Sequence, residues 1–212
     1  LKSIDYTDSR GAETLIRGYL DTYCKPSRIE HSLSVANLSA KLCDRFGLDP
    51  ARGYIAGLAH DLMKDRSLAD QWMLAGKAAS EPRLRSVADV VSRIEKEKNF
   101  ADKIIHGPAA AVFLYGEMGL RDPEMLEAVS LHSSAALTMS VLAKVIFIAD
   151  KLEPRRAYMT QKETDATESL GLDDLLLFAL ELSIGWLSSK KHAIAQSTLD
   201  LYNALKMRET AK

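Results

Sequence analysis

PARGYIAGLAHDLMKD, residues 50–65, is the stretch on which the reading of this chain turns. Asp49 and Pro50 form a cap followed by a first-turn proline, which is a helix start signal. Ile55, Leu58 and Ala59 recur at helical spacing, so the segment reads as a buried helix running to about Met63. His60 and Asp61 stand near the end of that helix. A His-Asp pair alone is a weak signal, because the dipeptide is frequent by chance. Its weight depends on what the rest of the chain brings to it.

Outward from this segment, helical spacing dominates and no stretch alternates for long enough to demand a sheet. Helices are expected over about 10–23, 27–46, 50–63, 82–98, 108–118, 123–131, 138–152, 173–188 and 196–207, with one more capped by Ser67. Ser27 and Glu30 form a capping-box pattern, Gly47 is a C-terminal stop, Asp122 with Pro123 opens a helix, and Thr138 caps another. The charged 82–98 segment reads as peripheral. There is no internal repeat. The fold class is all-α, a helical bundle.

The 212 residues are 47% hydrophobic and 27% charged, enough for a sizeable core. A net charge of −1 argues against a nucleic-acid binder, which needs a basic surface. Any phosphate site must therefore be a local cluster of Lys and Arg. The two cysteines, Cys24 and Cys43, read as reduced thiols. No segment resembles a signal peptide or a membrane span, so the expected location is cytoplasmic, with no membrane partner. The chain opens at Leu1 without Met, which fits a processed or cloning-derived start.

Three further positions join His60 and Asp61. His31 lies in the first turn of its helix, followed by Val35, Leu38 and Leu42 on one stripe; taken alone it would also fit a satisfied core histidine. Asp150 closes the apolar run Val145 to Ala149, where a carboxylate is costly unless paired or metal-bound. A divalent cation would satisfy all of these groups, and mixed nitrogen and oxygen ligands suit iron, manganese or zinc better than calcium. His106 precedes Gly107-Pro108 at a helix N-terminus, where the helix dipole favours a neutral imidazole. His132 ends the next helix. Both also fit capping or surface histidines, and His192 reads as solvated.

The order Arg28, His31, His60-Asp61, Lys64-Asp65, His106-Gly107, His132, Met139-Ser140 and Ala149-Asp150-Lys151, then Glu153-Pro154 and Arg156, resembles the YqeK group of HD-domain proteins. Ser197-Thr198 and Tyr202-Asn203 extend the likeness towards the C-terminus. The group consists of bacterial symmetrical diadenosine tetraphosphate hydrolases. The resemblance implies an HD-type bundle over 1–212, with a motif core at about 27–156 and C-terminal helices 172–210 packed on it. It assigns His31, His60, Asp61 and Asp150 to a metal tetrad and His106 and His132 to a second metal, with Asp61 as the bridge. It implies one or two ions, iron first, with manganese open. Two departures stand out: Ser133-Ser134-Ala135-Ala136 replaces a turn containing Thr-Gly, and the charged segment from about Glu81 to Lys103 is longer.

The implied reaction is hydrolysis of a dinucleoside tetraphosphate at an inner phosphate, by water activated at the metal, to give two ADP. Asp61, Lys64 and Arg28 are the candidate catalytic residues. Lys64, Arg28, Lys151 and Arg156 are candidate substrate contacts, each weighed against an ion pair or a solvated surface role. Asp65 is a candidate for orienting a ligand histidine. Trp72, Trp186 and Tyr202 read as core more than as stacking platforms. The expected partner is a nucleotide, and a homodimer is compatible with the chain. The rival functions are a nucleotidase, a guanosine alarmone hydrolase, and a nucleotide-sensing module without turnover. No Gly-Tyr-Pro signature supports a cyclic-dinucleotide phosphodiesterase.

Overall fold

Helix follows helix throughout the computed structural model, which describes residues 9–97 and 100–210 and has no strand among them. The first helices are α1 (Ser9–Tyr23), α2 (Pro26–Arg45), α3 (Pro50–Ala59) and α4 (Leu68–Gly76). Two 3₁₀ turns, Lys77–Ser80 and Pro82–Leu84, lead to α5 (Arg85–Ile94), α6 (Ala101–Ile104), α7 (His106–Gly116) and α8 (Pro123–Leu131). Then come α9 (Val141–Leu152), α10 (Gln161–Ser169), α11 (Leu172–Ser189) and α12 (Gln196–Thr210).

The all-α expectation holds, and α9 is its axis. Leu142, Ala143 and all of Val145 to Leu152 except Lys151 are buried, and a helix apolar nearly all round must lie inside. It packs against α2, α3, α8 and α11. The pair α2 and α3 lies closer still. A Cβ added to Gly57 would meet Ser39 Oγ at 2.8 Å and Ala36 Cα at 2.9 Å, and one added to Gly53 would meet Cys43 Sγ at 2.4 Å. Small residues on both faces thus let the two backbones touch, which brings the end of α3 beside the start of α2.

Helix boundaries follow the caps, with several corrections. Asp49 and Asp122 cap α3 and α8 as read from the sequence. Gly47 takes a positive φ of 74° after α2, the conformation a helix stop requires. The Ser27–Glu30 box does not start α2: Pro26 occupies the first turn, where its fixed φ is pre-organised, and Lys25 is the N-cap. Thr138 does not cap α9; Ser140 does, accepting from Ala143 N. The third helix stops at Ala59, because Leu62 and Lys64 bond three residues back and tighten the chain into turns.

The 82–98 segment is broken rather than one helix, and it is not peripheral, since α5 buries Val87, Val90, Val91 and Ile94. The helix α10 lies in a stretch read as merely polar. Thr160 and Glu163 supply its capping box. Cys24 and Cys43 are both free. No helix among the described residues is long and apolar enough to cross a membrane.

Candidate metal centre and substrate cleft

Five helices end or turn around one buried spot. His31 sits in the first turns of α2, His60 and Asp61 just after α3, His106 at the start of α7, His132 just after α8, and Asp150 in the last turn of α9. Five of these six are buried, and His31 is partly so. Close packing sets the second half of the site: a Cβ on Gly107 would meet Ser130 O at 2.9 Å and His132 Cε1 at 3.3 Å. Only glycine lets α7 approach α8 closely enough to lay His106 against His132.

In three of the four rings a hydrogen bond fixes which nitrogen faces inward. His60 Nδ1 lies 2.6 Å from Gly57 O and His132 Nδ1 lies 2.8 Å from Val129 O, so in each the δ nitrogen carries the proton and donates. His31 Nδ1 faces the Glu153 carboxylate at 3.2 Å and donates likewise. In these three the Nε2 is left with its lone pair aimed into the cluster, as a metal-ligating histidine requires.

Two groups of donors result, and Asp61 joins them. In the first, His31 Nε2 is 3.3 Å from His60 Nε2 and 3.1 Å from Asp150 Oδ1. In the second, His106 Nε2 is 3.1 Å from His132 Nε2, and both approach Asp61 Oδ1, at 3.1 and 3.3 Å. The other carboxylate oxygen, Asp61 Oδ2, points back to His60 Nε2 at 3.6 Å and His31 Nε2 at 3.9 Å.

Electrostatics keep the donors in ligating form. Burial pushes the His60 pKa down to about 3 and, with Lys64 beside it, that of His106 to about 3, so both imidazoles are neutral. Burial opposes ionisation of Asp61, but the histidines around it outweigh that and hold its carboxyl well below the usual range. For Asp150 the same burial is outweighed by Lys151, Arg156 and His31. Burial also opposes protonation of His31, yet Asp150 and Glu153 raise its pKa, so a proton and a cation compete for its Nε2.

These residues fit a divalent metal. His31, His60 and Asp150 form one set whose ligand atoms lie within 4.8 Å of one another, and His60, Asp61 and His132 form another. Neutral nitrogens and ionised oxygens converging without protons between them repel unless a cation lies among them. The mixture of imidazole and carboxylate suits a first-row transition ion.

Around this cluster lie the predicted cationic residues. Lys64 Nζ donates to Lys103 O at 3.1 Å and touches the His106 ring, and burial lowers its pKa. Arg28 pairs with Asp61; Lys151 bonds Asp150 Oδ2 at 2.6 Å; Arg156 pairs with Asp150. A cleft of about 600 Å³ opens beside the cluster, lined by His31, Lys64, Lys151 and Arg156 among others, but not by Arg28. Arg28 therefore faces Asp61 rather than the cleft. Asp65 orients no histidine: it accepts from Lys25 N at 3.2 Å and anchors the start of α2.

The cleft also contains residues that sequence reading missed. Lys103 and Arg155 add charge to its wall. Glu153, 3% exposed, orients His31, and its place one turn after Asp150 was the available signal. One expectation is corrected here and one is extended. Trp186 is not core but 44% exposed on the cleft wall; His192 is exposed, as a solvated residue should be, and it also lines that wall.

Known proteins agree with this architecture. The HD domain model matches residues 28–155. A symmetrical bis(5'-nucleosyl)-tetraphosphatase of Halalkalibacterium halodurans is 25% identical over 86% of this chain and 90% of its own length. One from Bacillus subtilis, named likewise, is 26% identical over 84% of this chain and 89% of its own. A solved structure from Clostridium acetobutylicum, described as a predicted HD superfamily hydrolase involved in NAD metabolism, matches with a TM-score of 0.75 at 24% identity. It covers 92% of this chain and 97% of that one, and it shows the same fold. With residues 28–155 matched, and both donor groups drawn from that stretch, the chain belongs to the HD domain family.

Proposed function

We propose that this chain hydrolyses diadenosine tetraphosphate symmetrically, giving two ADP. The observation that carries the reading is Asp61 shared between two groups of inward-facing histidines, beside a cleft lined with Lys64, Lys151 and Arg156. The relatives named symmetrical tetraphosphatases support the substrate. His31, His60, Asp61 and Asp150 would hold a first metal ion, and His106 and His132 with Asp61 would hold a second. Iron is the expected ion, with manganese as the alternative. Such ions, when bound, supply positive charge against phosphate oxygens and lower the pKa of water.

The chain's own residues do the rest. Lys64 supplies an ammonium that no carboxylate holds by a close ion pair among the described residues, so it can exchange its contacts with Lys103 O and the His106 ring for a phosphate oxygen. Lys151 and Arg156 exchange part of their pairing with Asp150 for the phosphates of the bound nucleotide. Arg28 holds Asp61 in place and acts as a positioning residue. Glu153 keeps the proton of His31 on Nδ1. The leaving ADP is a stable anion, so no strong general acid is needed. The C-terminal helices belong to the same catalytic unit, because α11 packs on α9 and supplies part of the cleft wall.

The test is product analysis in ¹⁸O-labelled water. Two ADP should form, with label on the terminal β-phosphate of one of them per turnover. ATP with AMP, or an intact dinucleotide alongside rapid dephosphorylation of a mononucleotide, overturns the substrate while leaving the metal site standing.

A further inference from the structure

We propose that Trp186, flanked by His192, is a stacking platform for a nucleobase of the substrate. This rests on the nucleotide reading above and extends it from the phosphates to the base. Three observations carry it.

The first is exposure in the right place. A tryptophan is normally mostly covered, yet Trp186 is 44% exposed, and what it faces is the cleft that also contains His31 and Lys64. Its indole N–H has no hydrogen-bond partner among the described residues. The second is the companion ring. The His192 and Trp186 centroids are 6.2 Å apart, tilted by 46°, so the two rings form an angled corner with an open indole face.

The third is the device that places His192 there. Helix α11 ends with His192 N donating to Leu187 O at 2.9 Å and Lys191 N donating to Ser188 O at 3.0 Å. This Schellman pattern turns the chain back on itself, and it puts Lys191 at a φ of 55°. Glycine ordinarily takes that conformation, and a lysine there is strained. The turn returns His192 to the side of Trp186 and the cleft. Beyond it, Gln196 N donates to Glu97 Oε1 at 2.7 Å and Ser197 Oγ to Ser134 O at 2.7 Å, which anchors the wall to the body of the bundle.

The chemistry is divided across one cleft. Lys64, Lys151 and Arg156 supply charge for phosphates, while Trp186 and His192 supply flat apolar area for a base. No Asn, Gln or Asp lines the cleft among the described residues, so the platform offers a face to stack on and no side-chain amide to read a base edge. Stacking of a base on an aromatic ring is enough to change affinity roughly tenfold.

Two measurements on the full chain test this. Trp72→Phe leaves Trp186 as the only indole, since the sequence has two tryptophans. In that variant ADP should quench fluorescence saturably, and tripolyphosphate, which carries no base, should not. Trp186→Ala should raise KM for diadenosine tetraphosphate about tenfold with kcat changed less than about threefold, and Trp186→Phe should restore most of the loss. Absence of ADP quenching, or an unchanged KM in Trp186→Ala, overturns the platform. A wild-type chain that fails to cleave the dinucleotide overturns the proposed reaction instead, and the ADP titration still reads the platform by itself.

Discussion

The two walls of the proposed active cleft are built on opposite principles. On one side, α2, α3, α7, α8 and α9 crowd together through Gly53, Gly57 and Gly107, and the six histidines and aspartates they bring are at most slightly exposed. Their rings are fixed by bonds to Gly57 O, Val129 O and Glu153. On the other side, the end of α11 and the turn after it leave a tryptophan open, and Gly185 there has nothing within 4 Å of where a Cβ would stand. The tight packing of the first wall, from backbone outward, suits the proposed metal site, whose ligand atoms must be held to a fraction of an ångström. The platform proposed for the second meets only a flat ring, and stacking tolerates looser support.

The sharpest way to break this contrast is to disable one wall alone. Asp61→Asn keeps the shape of the side chain but removes the charge shared by both donor groups. Loss of a residue that merely supports a ligand costs about 10–100-fold in metal affinity or activity, so loss of this one should cost more than about a hundredfold in turnover. Metal content measured on the purified protein should fall with it, while the helical circular dichroism stays. A variant that retains both metal and turnover refutes the bridging role of Asp61.

The same contrast explains what could be read from the sequence. His60 and Asp61 at the end of an apolar stripe, and Asp150 after Val145 to Ala149, announce themselves because polar groups in apolar settings need a reason. Both helices were legible by periodicity; the Asp49 cap of the first was legible too, while the cap of the second is Ser140 and not Thr138. The tight crossing of α2 and α3 was not, because Gly53 and Gly57 show their purpose only when another backbone is beside them. Lys25 displaced Ser27 as the cap because Pro26 suits the first turn better. The Trp186–His192 corner was hidden for a different reason. It depends on a left-handed Lys191, and nothing in the side chain of lysine signals that turn. Glu153 and the box of Thr160 and Glu163 were visible in principle, since both carry ordinary spacing signals.

A second prediction concerns how tightly the metal wall is built. Gly57→Ala places a methyl group 2.8 Å from Ser39 Oγ and 2.9 Å from Ala36 Cα. The hydroxyl can rotate away but the Cα cannot, so α3 must move off α2. Overpacking of this kind costs about 1–3 kcal/mol, which a urea midpoint will read at constant slope. A midpoint equal to that of the parent would mean that the two helices are not held at this spacing.

The smallest effect is expected at the other wall, with the opposite sign. Gly185 is exposed inside α11, one residue before Trp186, and a Cβ there meets nothing within 4 Å. Glycine within a helix costs roughly 0.5–1 kcal/mol relative to alanine, because the unfolded chain loses more freedom on folding. Gly185→Ala should therefore stabilise the protein by about that amount, a rise of roughly 1–4 °C in the melting temperature of a chain this size. The same chemical change, one added methyl group, then destabilises at residue 57 and stabilises at residue 185. If Gly185→Ala lowers the melting temperature instead, the space beside α11 is already committed to packing, and the cleft wall is no looser than the metal wall it faces.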